Sequence, residues 1–397
     1  MSARPLPVIE ILPGHGRRAA HGAPWVYSNE IRMTPEAKAL SPGHVVEVHA
    51  AGGSPVGLAF FNPRSLIALR LLAHDTGTEI GQTFFEQRLR SALALRERLF
   101  ESPHYRLIHA EADGIPGVAI DRLGDHVVAQ IGSAGVDRLT DALVAAIEAV
   151  LEPRTILLKN DVPSRALEGL ECGIVPVKGT MPDRLEIEEN GCRFLAAPTG
   201  GQKTGWFFDQ RDNRAFVAAL AAGRRVLDVY CYGGGFGVLA LANGAAEAVL
   251  VDSSDAALQL AAEAAELNGV GERARRRRAD AFEEVARLGQ ARERFGIVVC
   301  DPPPFVRAKK DLESGAKGYR KLAKLAAPLV EPGGVLTLAS CSHNIPAERF
   351  AAECWEGIRR AGRDGRLLRS AGAGADHPVH PALPETAYLK TIVYQLD

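Results

Sequence analysis

Over the first 75 positions, apolar and polar residues alternate in short runs broken by proline and glycine. Val8-Ile-Glu-Ile-Leu12 is stopped by Pro13-Gly14, and Pro42-Gly43 leads into His44-Val-Val-Glu-Val48. Gly52-Gly-Ser-Pro55 turns into Val56-Gly-Leu-Ala-Phe-Phe61, and Leu66-Ile-Ala-Leu-Arg-Leu-Leu72 closes the series. A period of two with turn residues at this spacing predicts the strands of a small closed or half-open barrel. From 80 to 100 the period lengthens. Phe84, Phe85, Leu89, Leu93 and Leu99 recur near helical spacing with charges between them, and Ser102-Pro103 ends the run. Beyond it, Arg106-Leu-Ile-His109, Gly117-Val-Ala-Ile-Asp121 and His126-Val-Val-Ala-Gln-Ile131 read as strands. An alanine-rich amphipathic helix from Val136 to Leu151 is stopped by Pro153, and Thr155-Ile-Leu-Leu-Lys159 returns to strand. The expectation is a sheet covered by one helix, with no chemistry of its own.

From Glu186 onward the pattern becomes strand, helix, strand, helix. Asn190-Gly191, between apolar alternations, signals a tight hairpin. A loop from Lys203 to Arg214 runs into a helix, and repeated βα units follow, implying a mostly parallel, doubly wound sheet. Ala387 to Leu396 is a β-rich last strand. In this half, Arg225-Val-Leu-Asp-Val229 breaks into Tyr230-Cys-Tyr-Gly-Gly-Gly-Phe-Gly237 before a second apolar run. A strand, a glycine turn and a helix start bring backbone N–H groups and a positive helix end close to a ligand. The alternative is a βα turn that merely needed flexible residues. The next apolar run ends in Asp252, at the spacing where a second strand presents a carboxylate to ribose hydroxyls. Later strand ends carry Cys300-Asp-Pro-Pro-Pro-Phe305 and Ala339-Ser-Cys-Ser-His343. Open α/β sheets bind ligands at these C-terminal strand ends. The glycine register differs from Gly-x-Gly-x-x-Gly, which ranks a dehydrogenase lower.

Composition narrows this picture only a little. At 397 residues, two or three domains are expected, and 46% hydrophobic with 24% charged residues describes a globular chain with a real core. No apolar run reaches membrane-spanning length, and Met1-Ser-Ala-Arg-Pro is not a leader, so a cytoplasmic protein is expected. Six cysteines without Cys-x-x-Cys pairing predict reduced thiols and no metal site. A formal charge of −1 neither advertises nor excludes nucleic acid. Arg17, Arg18, Arg32 and Arg64 with Trp25, Tyr27 and Phe61 form a candidate RNA-facing patch. The competing view, favoured on residue types, is a filled core with solvated arginines.

Taken in order, Lys203-Thr-Gly, Asp209-Gln-Arg, Asp228 with Gly233-Gly-Gly-Phe-Gly237, Asp252, Asp301-Pro-Pro-Pro-Phe305, Ser340-Cys-Ser342, Asp376-His-Pro378 and Pro384-Glu385 form a series. It resembles the PUA-containing class I S-adenosylmethionine-dependent ribosomal RNA methyltransferases, most of all the large-subunit 23S rRNA 5-methylcytosine enzymes. The resemblance spans essentially the whole chain. It implies an α/β fold with a PUA-like RNA-binding barrel at 1–75, a linker helix with a central sheet-plus-helix domain at 76–185, and a Rossmann-like methyltransferase domain at 186–397. It also implies S-adenosyl-L-methionine as cofactor, 23S ribosomal RNA as partner, a final antiparallel strand and a possible homodimer.

Carried over residue by residue, the resemblance puts Gln210, Asp228, Tyr230, Gly233, Gly235, Phe236, Gly237, Asp252, Asp280, Ala281 and Asp301 around the cofactor. Asp252 accepts the ribose hydroxyls and Asp280 reads the adenine edge; core packing is the equal alternative for Tyr230 and Tyr232. Cys341 is the expected nucleophile. Carbon 5 of cytosine is a poor nucleophile until a thiolate adds to carbon 6. An inert buried thiol is the alternative, and it suits Cys300, inside an apolar run, better. Asp301 is expected on the edge of a flipped cytosine and Glu385 as the proton-abstracting base, while His343 and His377 are at most hydrogen-bonding neighbours. Arg275-Arg-Arg-Arg278 fits edge protection and RNA contact equally. Lys309, Lys310, Lys317, Arg320, Lys321 and Lys324 are better placed for phosphates. Two other readings stay open: a guanine-nitrogen methyltransferase with Cys341 as bystander, and an RNA-binding protein with a degenerate methyltransferase domain.

Overall fold

The structure, a computed structural model, describes residues 5–201 and 204–397; Lys203 and positions 1–4, read above for a leader, lie outside the described residues. The chain divides into two compact units, each assembled from separate segments.

The first unit takes Met1–Asp183, Ala197–Gly205 and Ala375–Pro384. Its first sheet comprises β1 (Val8–Glu10), β2 (Trp25–Tyr27), β3 (His44–His49), β4 (Pro55–Phe61) and β5 (Ile67–Ala73), in the order β1-β3-β4-β5-β2. Only β1 and β3 run parallel. The alternation seen in the sequence buries Val46, Val48, Phe61 and Leu69 with Ile9 and Ile11 in one core, which Val26 joins. The second sheet comprises β6 (His104–His109), β7 (Val118–Leu123), β8 (His126–Ile131), β9 (Thr155–Asn160) and β10 (Gly173–Lys178), in the order β10-β9-β8-β7-β6. Its core takes Phe84, Phe85 and Leu89 from the helix Gln82–Leu99 and Leu143, Ala146 and Ile147 from the helix Thr140–Leu151. Two helices therefore cover this sheet, not the one expected, because the first buries an apolar face instead of merely linking. The second helix also starts later than its pattern suggests, with a separate turn at Ala134–Asp137. β2 and β10 escaped the sequence pattern: β2 is three residues long, and Pro176 interrupts β10.

The second unit takes Arg184–Ala196, Trp206–Gly374 and Glu385–Asp397. The predicted hairpin joins β11 (Leu185–Glu189) to β12 (Cys192–Ala196); Asn190 and Gly191 both take positive φ, 53° and 73°, as a tight two-residue turn demands. The main sheet comprises β13 (Arg225–Val229), β14 (Glu247–Asp252), β15 (Ala274–Arg278), β16 (Phe295–Cys300), β17 (Val330–Ser340), β18 (Gly365–Ala371) and β19 (Lys390–Leu396). Their order is β15-β14-β13-β16-β17-β19-β18. The first five run parallel, and β19 is antiparallel to both neighbours. All six residues of β16 are buried, as expected for a central strand covered on both faces. β15 is an edge strand on which Arg275 to Arg278 are exposed, the placement that protects against edge-to-edge pairing. Strand order reverses between β13 and β16, the point at whose C-terminal strand ends open α/β sheets bind ligands. Among the described residues no helix is long and apolar enough to cross a membrane, and no group of three metal-ligating side chains assembles.

Candidate active site

The turn after β13 is held by backbone geometry that ordinary residues resist. Tyr230 and Tyr232 sit at φ 65° and 47°, a left-handed conformation uncommon for bulky side chains. The carbonyl of Val251 accepts the amides of Tyr230 and Cys231 at 2.9 and 3.0 Å. Asp252, at the end of β14, accepts the Tyr232 amide at 3.0 Å on Oδ2 and the Ser254 amide at 2.9 Å on Oδ1. The two strand ends are thus fastened together. The glycines are required by close approach: a Cβ on Gly235 would lie 2.6 Å from Arg214 Nε, and one on Gly237 would lie 2.2 Å from Leu250. Gly237 donates its amide to Asp228 Oδ2 at 2.9 Å. Phe236 between them is buried.

Asp228 is the most perturbed acid of the site. Its carboxyl is pushed up to about 7, first by burial and then by the nearby Asp301 and Asp252 charges, against the lowering effect of the Gly237 amide and Arg214. Its Oδ1 finds no hydrogen-bond partner among the described residues. Three carboxylates therefore stand at the ends of the adjacent strands β14, β13 and β16, and they repel one another. Burial also pushes up the Tyr230 phenol, with Cys300, Asp280 and Asp252 adding to the effect. Asp280 itself is exposed and caps the helix Ala281–Gln290: its Oδ1 accepts the amides of Phe282 and Glu283 at 2.9 and 3.1 Å. Ala281 is buried beneath that cap.

Gln210 is already committed. Its Nε2 donates to Asp301 Oδ2 at 3.0 Å, and its Oε1 accepts from Asn213 Nδ2 at 2.8 Å. Asn213 also donates to the Gly372 carbonyl and to Thr391 Oγ1, both at 3.1 Å, so β19 is tied into the same network. Asn213 Oδ1 is buried with no partner among the described residues. Tyr388 donates to Asp209 Oδ2 at 2.5 Å and lies beside the His343 ring, centroids 5.3 Å apart.

Cys341 follows β17 directly and is partly exposed, whereas Cys300 is fully buried, its thiol pushed far up by that burial. Between them the chain crosslinks the two strand-end loops. Tyr319, buried in the helix Leu312–Ala326, accepts the Phe305 amide at 3.3 Å and the Ser340 hydroxyl at 2.7 Å. The Ser342 hydroxyl donates to the Val306 carbonyl, and Asn344 Nδ2 to the Arg307 carbonyl at 2.9 Å. Lys390, opposite Ser340 in the β17–β19 ladder, donates its Nζ to the Ser342 carbonyl.

Glu385 is exposed on the short turn Pro384–Thr386. His377 and Asp376 belong to the first unit, where His377 Nδ1 meets Asp376 Oδ1 at 2.8 Å. Of the six cations proposed for phosphates, Arg320 is spent on Glu353 at 2.6 Å and Lys321 lies 4.9 Å from the centre of the Phe282 ring. Lys309, Lys310, Lys317 and Lys324 are exposed. In the N-terminal patch, Phe61 is core and Arg32 faces Glu10 at 3.3 Å, while Trp25 donates to Glu111 at 2.8 Å. Sequence reasoning passed over Asn213, Tyr319, Tyr388, Lys390 and Thr391. Each is an ordinary helix or strand residue by pattern, and only Lys390 and Thr391 carried a signal, as polar residues opening a β-rich strand.

A family model described as S-adenosylmethionine-dependent methyltransferase matches residues 154–363, and one described as PUA-like domain matches 9–74. The chain is 37% identical over 372 residues to ribosomal RNA large subunit methyltransferase I of Cronobacter sakazakii, covering 92% of this chain and 93% of that one. Its fold superposes on a candidate SAM-dependent methyltransferase from Streptococcus mutans with a TM-score of 0.82 at 20% identity, over 98% of this chain and 100% of that one. It also superposes on SMU.776, a candidate methyltransferase solved with SAH, with a TM-score of 0.84 at 20% identity, over 99% and 100%.

Proposed function

The chain belongs to the family of S-adenosylmethionine-dependent methyltransferases that includes ribosomal RNA large subunit methyltransferase I, and from that premise we propose that it forms 5-methylcytosine in 23S ribosomal RNA through a covalent Cys341 adduct. The observation that carries the reading is the pairing of adjacent strand ends. Asp301 after β16 and a partly exposed Cys341 after β17 flank loops crosslinked by Tyr319 and Ser342, beside a carboxylate-rich turn.

The residues at that turn fit the cofactor. S-adenosylmethionine supplies an electrophilic methyl group and carries more positive than negative charge. Asp228, Asp252 and Asp301 form an acidic field suited to such a cation, and the unanswered Asp228 Oδ1 offers a buried acceptor to an ammonium donor. Asp252 keeps lone pairs beyond its two amide bonds with which to accept ribose hydroxyls. Asp280 Oδ1 is occupied by its helix, so Oδ2 would be the oxygen left to hold the adenine edge. Tyr230, Phe236 and Ala281 would supply apolar contacts, while Gly233, Gly235 and Gly237 would let the backbone come close to the cofactor. Gln210 acts through Asp301, holding that carboxylate in place.

Chemically, the Cys341 thiolate adds to carbon 6 of a flipped cytosine, forming the C–S bond and moving the C5=C6 electron pair onto carbon 5 and the conjugated C4–N3 edge, which makes carbon 5 the nucleophile. Asp301 hydrogen-bonds the N3/N4 edge, accepting from the N4 amine and, once protonated, donating to N3 as negative charge arrives there. After carbon 5 is methylated, Glu385 takes its proton, the double bond re-forms and the thiolate leaves. The barrel sheet contributes RNA docking, and the exposed lysines at 309, 310, 317 and 324 contribute phosphate contacts. With ribosomal RNA as its substrate, the enzyme would work in the cytoplasm. A homodimer would cover the outer edge of β10, where Ile174, Val175 and Val177 are exposed. Light scattering should report twice the chain mass, and monomer mass would refute that part.

Methyl-labelled cofactor and large-subunit RNA test the reaction. Digestion to nucleosides should place the label in 5-methylcytidine. Label in a methylguanosine would favour nitrogen chemistry, and RNA binding without label would favour a degenerate domain.

A further inference from the structure

We infer that Lys390 is a charge-positioning residue for Cys341: its ammonium holds the thiol in the ionised form from which it attacks. The inference rests on the nucleophile assigned to Cys341 above. Two backbone observations place the lysine. Lys390 stands directly opposite Ser340 in the antiparallel ladder of β17 and β19, and its Nζ donates to the carbonyl of Ser342. Cys341 is the residue between those two. The ladder partner and the hydrogen bond therefore bring the ammonium to the backbone on either side of Cys341, near enough for its charge and the thiol to interact.

One of the three ammonium hydrogens is used by the Ser342 carbonyl, and two are left for other acceptors. A partly buried ammonium next to a thiol lowers the cost of losing the S–H proton, which passes to water while the lysine keeps its own. The coupling runs both ways. Burial lowers the Lys390 ammonium from its ordinary value, and the charge on Cys341 raises it. The other titratable neighbour from a packed element is Tyr319 on the helix Leu312–Ala326; burial raises its phenol first, and Cys341 adds to this. Tyr319 stays neutral near pH 7 and brings no compensating positive charge. His343 lies two residues along the same loop, its ring against Tyr388. Lys390 is thus the side chain whose fixed charge suits a thiolate at this strand end.

A purely structural role, tethering β19 to the Ser342 loop, would predict that Lys390 affects stability and nothing else. The two roles separate in the pH profile of alkylation. The full chain, without RNA, is treated with iodoacetamide across pH 5.5 to 10, and each cysteine is quantified by peptide mass spectrometry. Cys172, exposed in the first unit, serves as internal control. In Lys390→Gln, which removes the charge but keeps a donor, the Cys341 midpoint should rise by about one pH unit or more, read as roughly tenfold slower alkylation near neutrality. Lys390→Arg should keep the wild-type midpoint, and Cys172 should not move in either variant. A Cys341 profile unmoved by Lys390→Gln, or Cys172 moving in step with it, would overturn the inference. The nucleophile assignment fails separately: wild-type protein that traps no adduct on 5-fluorocytosine RNA would sink that assignment, while a shifted alkylation profile would still support the ion pair.

Discussion

The two units bury charge to opposite ends. In the first, Arg96 is fully buried and makes two parallel hydrogen bonds to Asp113, at 2.8 and 2.7 Å, while donating also to the carbonyls of Arg106 and Asp376. Asp376 accepts the Arg106 amide on one oxygen and His377 on the other. Asp121 takes the Arg106 guanidinium on both oxygens and the Thr204 hydroxyl besides. Every carboxylate oxygen of these three acids is answered. At the strand ends of the second unit, by contrast, Asp228 Oδ1 and Asn213 Oδ1 have no partner among the described residues, and three acids repel one another. A network satisfied in every direction holds backbone in place. One left open, and charged with a single sign, is prepared for a ligand of the other sign.

Substitutions should separate these two kinds of burial. The largest effect is expected for Cys341→Ala, which should lower methyl transfer on the order of 10³-fold or more while moving unfolding free energy by less than about 1 kcal/mol; single-turnover kinetics and urea denaturation check the pair. Arg96→Ala should do the reverse in kind, costing about 3–5 kcal/mol of stability because it strands Asp113 in the interior. A loss below about 1 kcal/mol in urea would mean the paired network is not structural. Asp228 makes the opposite prediction to a satisfied acid. Its folded carboxyl holds its proton more tightly than the unfolded one, so the cost of burial vanishes well below the ordinary carboxyl value of 3.8 and accrues as pH rises to about 7. Asp228→Asn should therefore match wild type at about pH 3 and exceed it above pH 7, by up to about 4 kcal/mol. Parallel stability curves for the two proteins would contradict this. The smallest effect is expected for Tyr319→Phe, which removes the hydroxyl between the Phe305 and Ser340 loops and should cost about 1–2 kcal/mol.

The comparison also marks what the chain discloses locally. Strand ends are legible because a buried parallel strand is a continuous apolar run, and the polar residues that close it stand at the ligand face; Asp252, Asp301 and Cys341 were singled out that way, whereas Asp228, inside β13, came from the resemblance. The Asn190-Gly191 turn and the exposed arginines of β15 were legible for similarly local reasons. The satisfied network was not. Arg96 and Asp376 are 280 positions apart, and no period of two or 3.6 connects them. Lys390 and Ser342 are 48 apart and meet only because β19 inserts antiparallel beside β17. Gln210 shows the converse limit. Its residue type and position suit a cofactor contact, yet both ends of its amide serve Asp301 and Asn213. Residue type tells what a side chain is able to bond; register decides what it meets.

The central claim is that Cys341 attacks the pyrimidine, and covalent trapping tests it most directly. Large-subunit RNA carrying 5-fluorocytosine, incubated with the enzyme and S-adenosylmethionine, cannot release its carbon-5 substituent. A stable protein–RNA species should form, and its crosslinked nucleotide should map to the peptide containing Cys341. Methylated product without any adduct, or an adduct on another cysteine, would contradict the account.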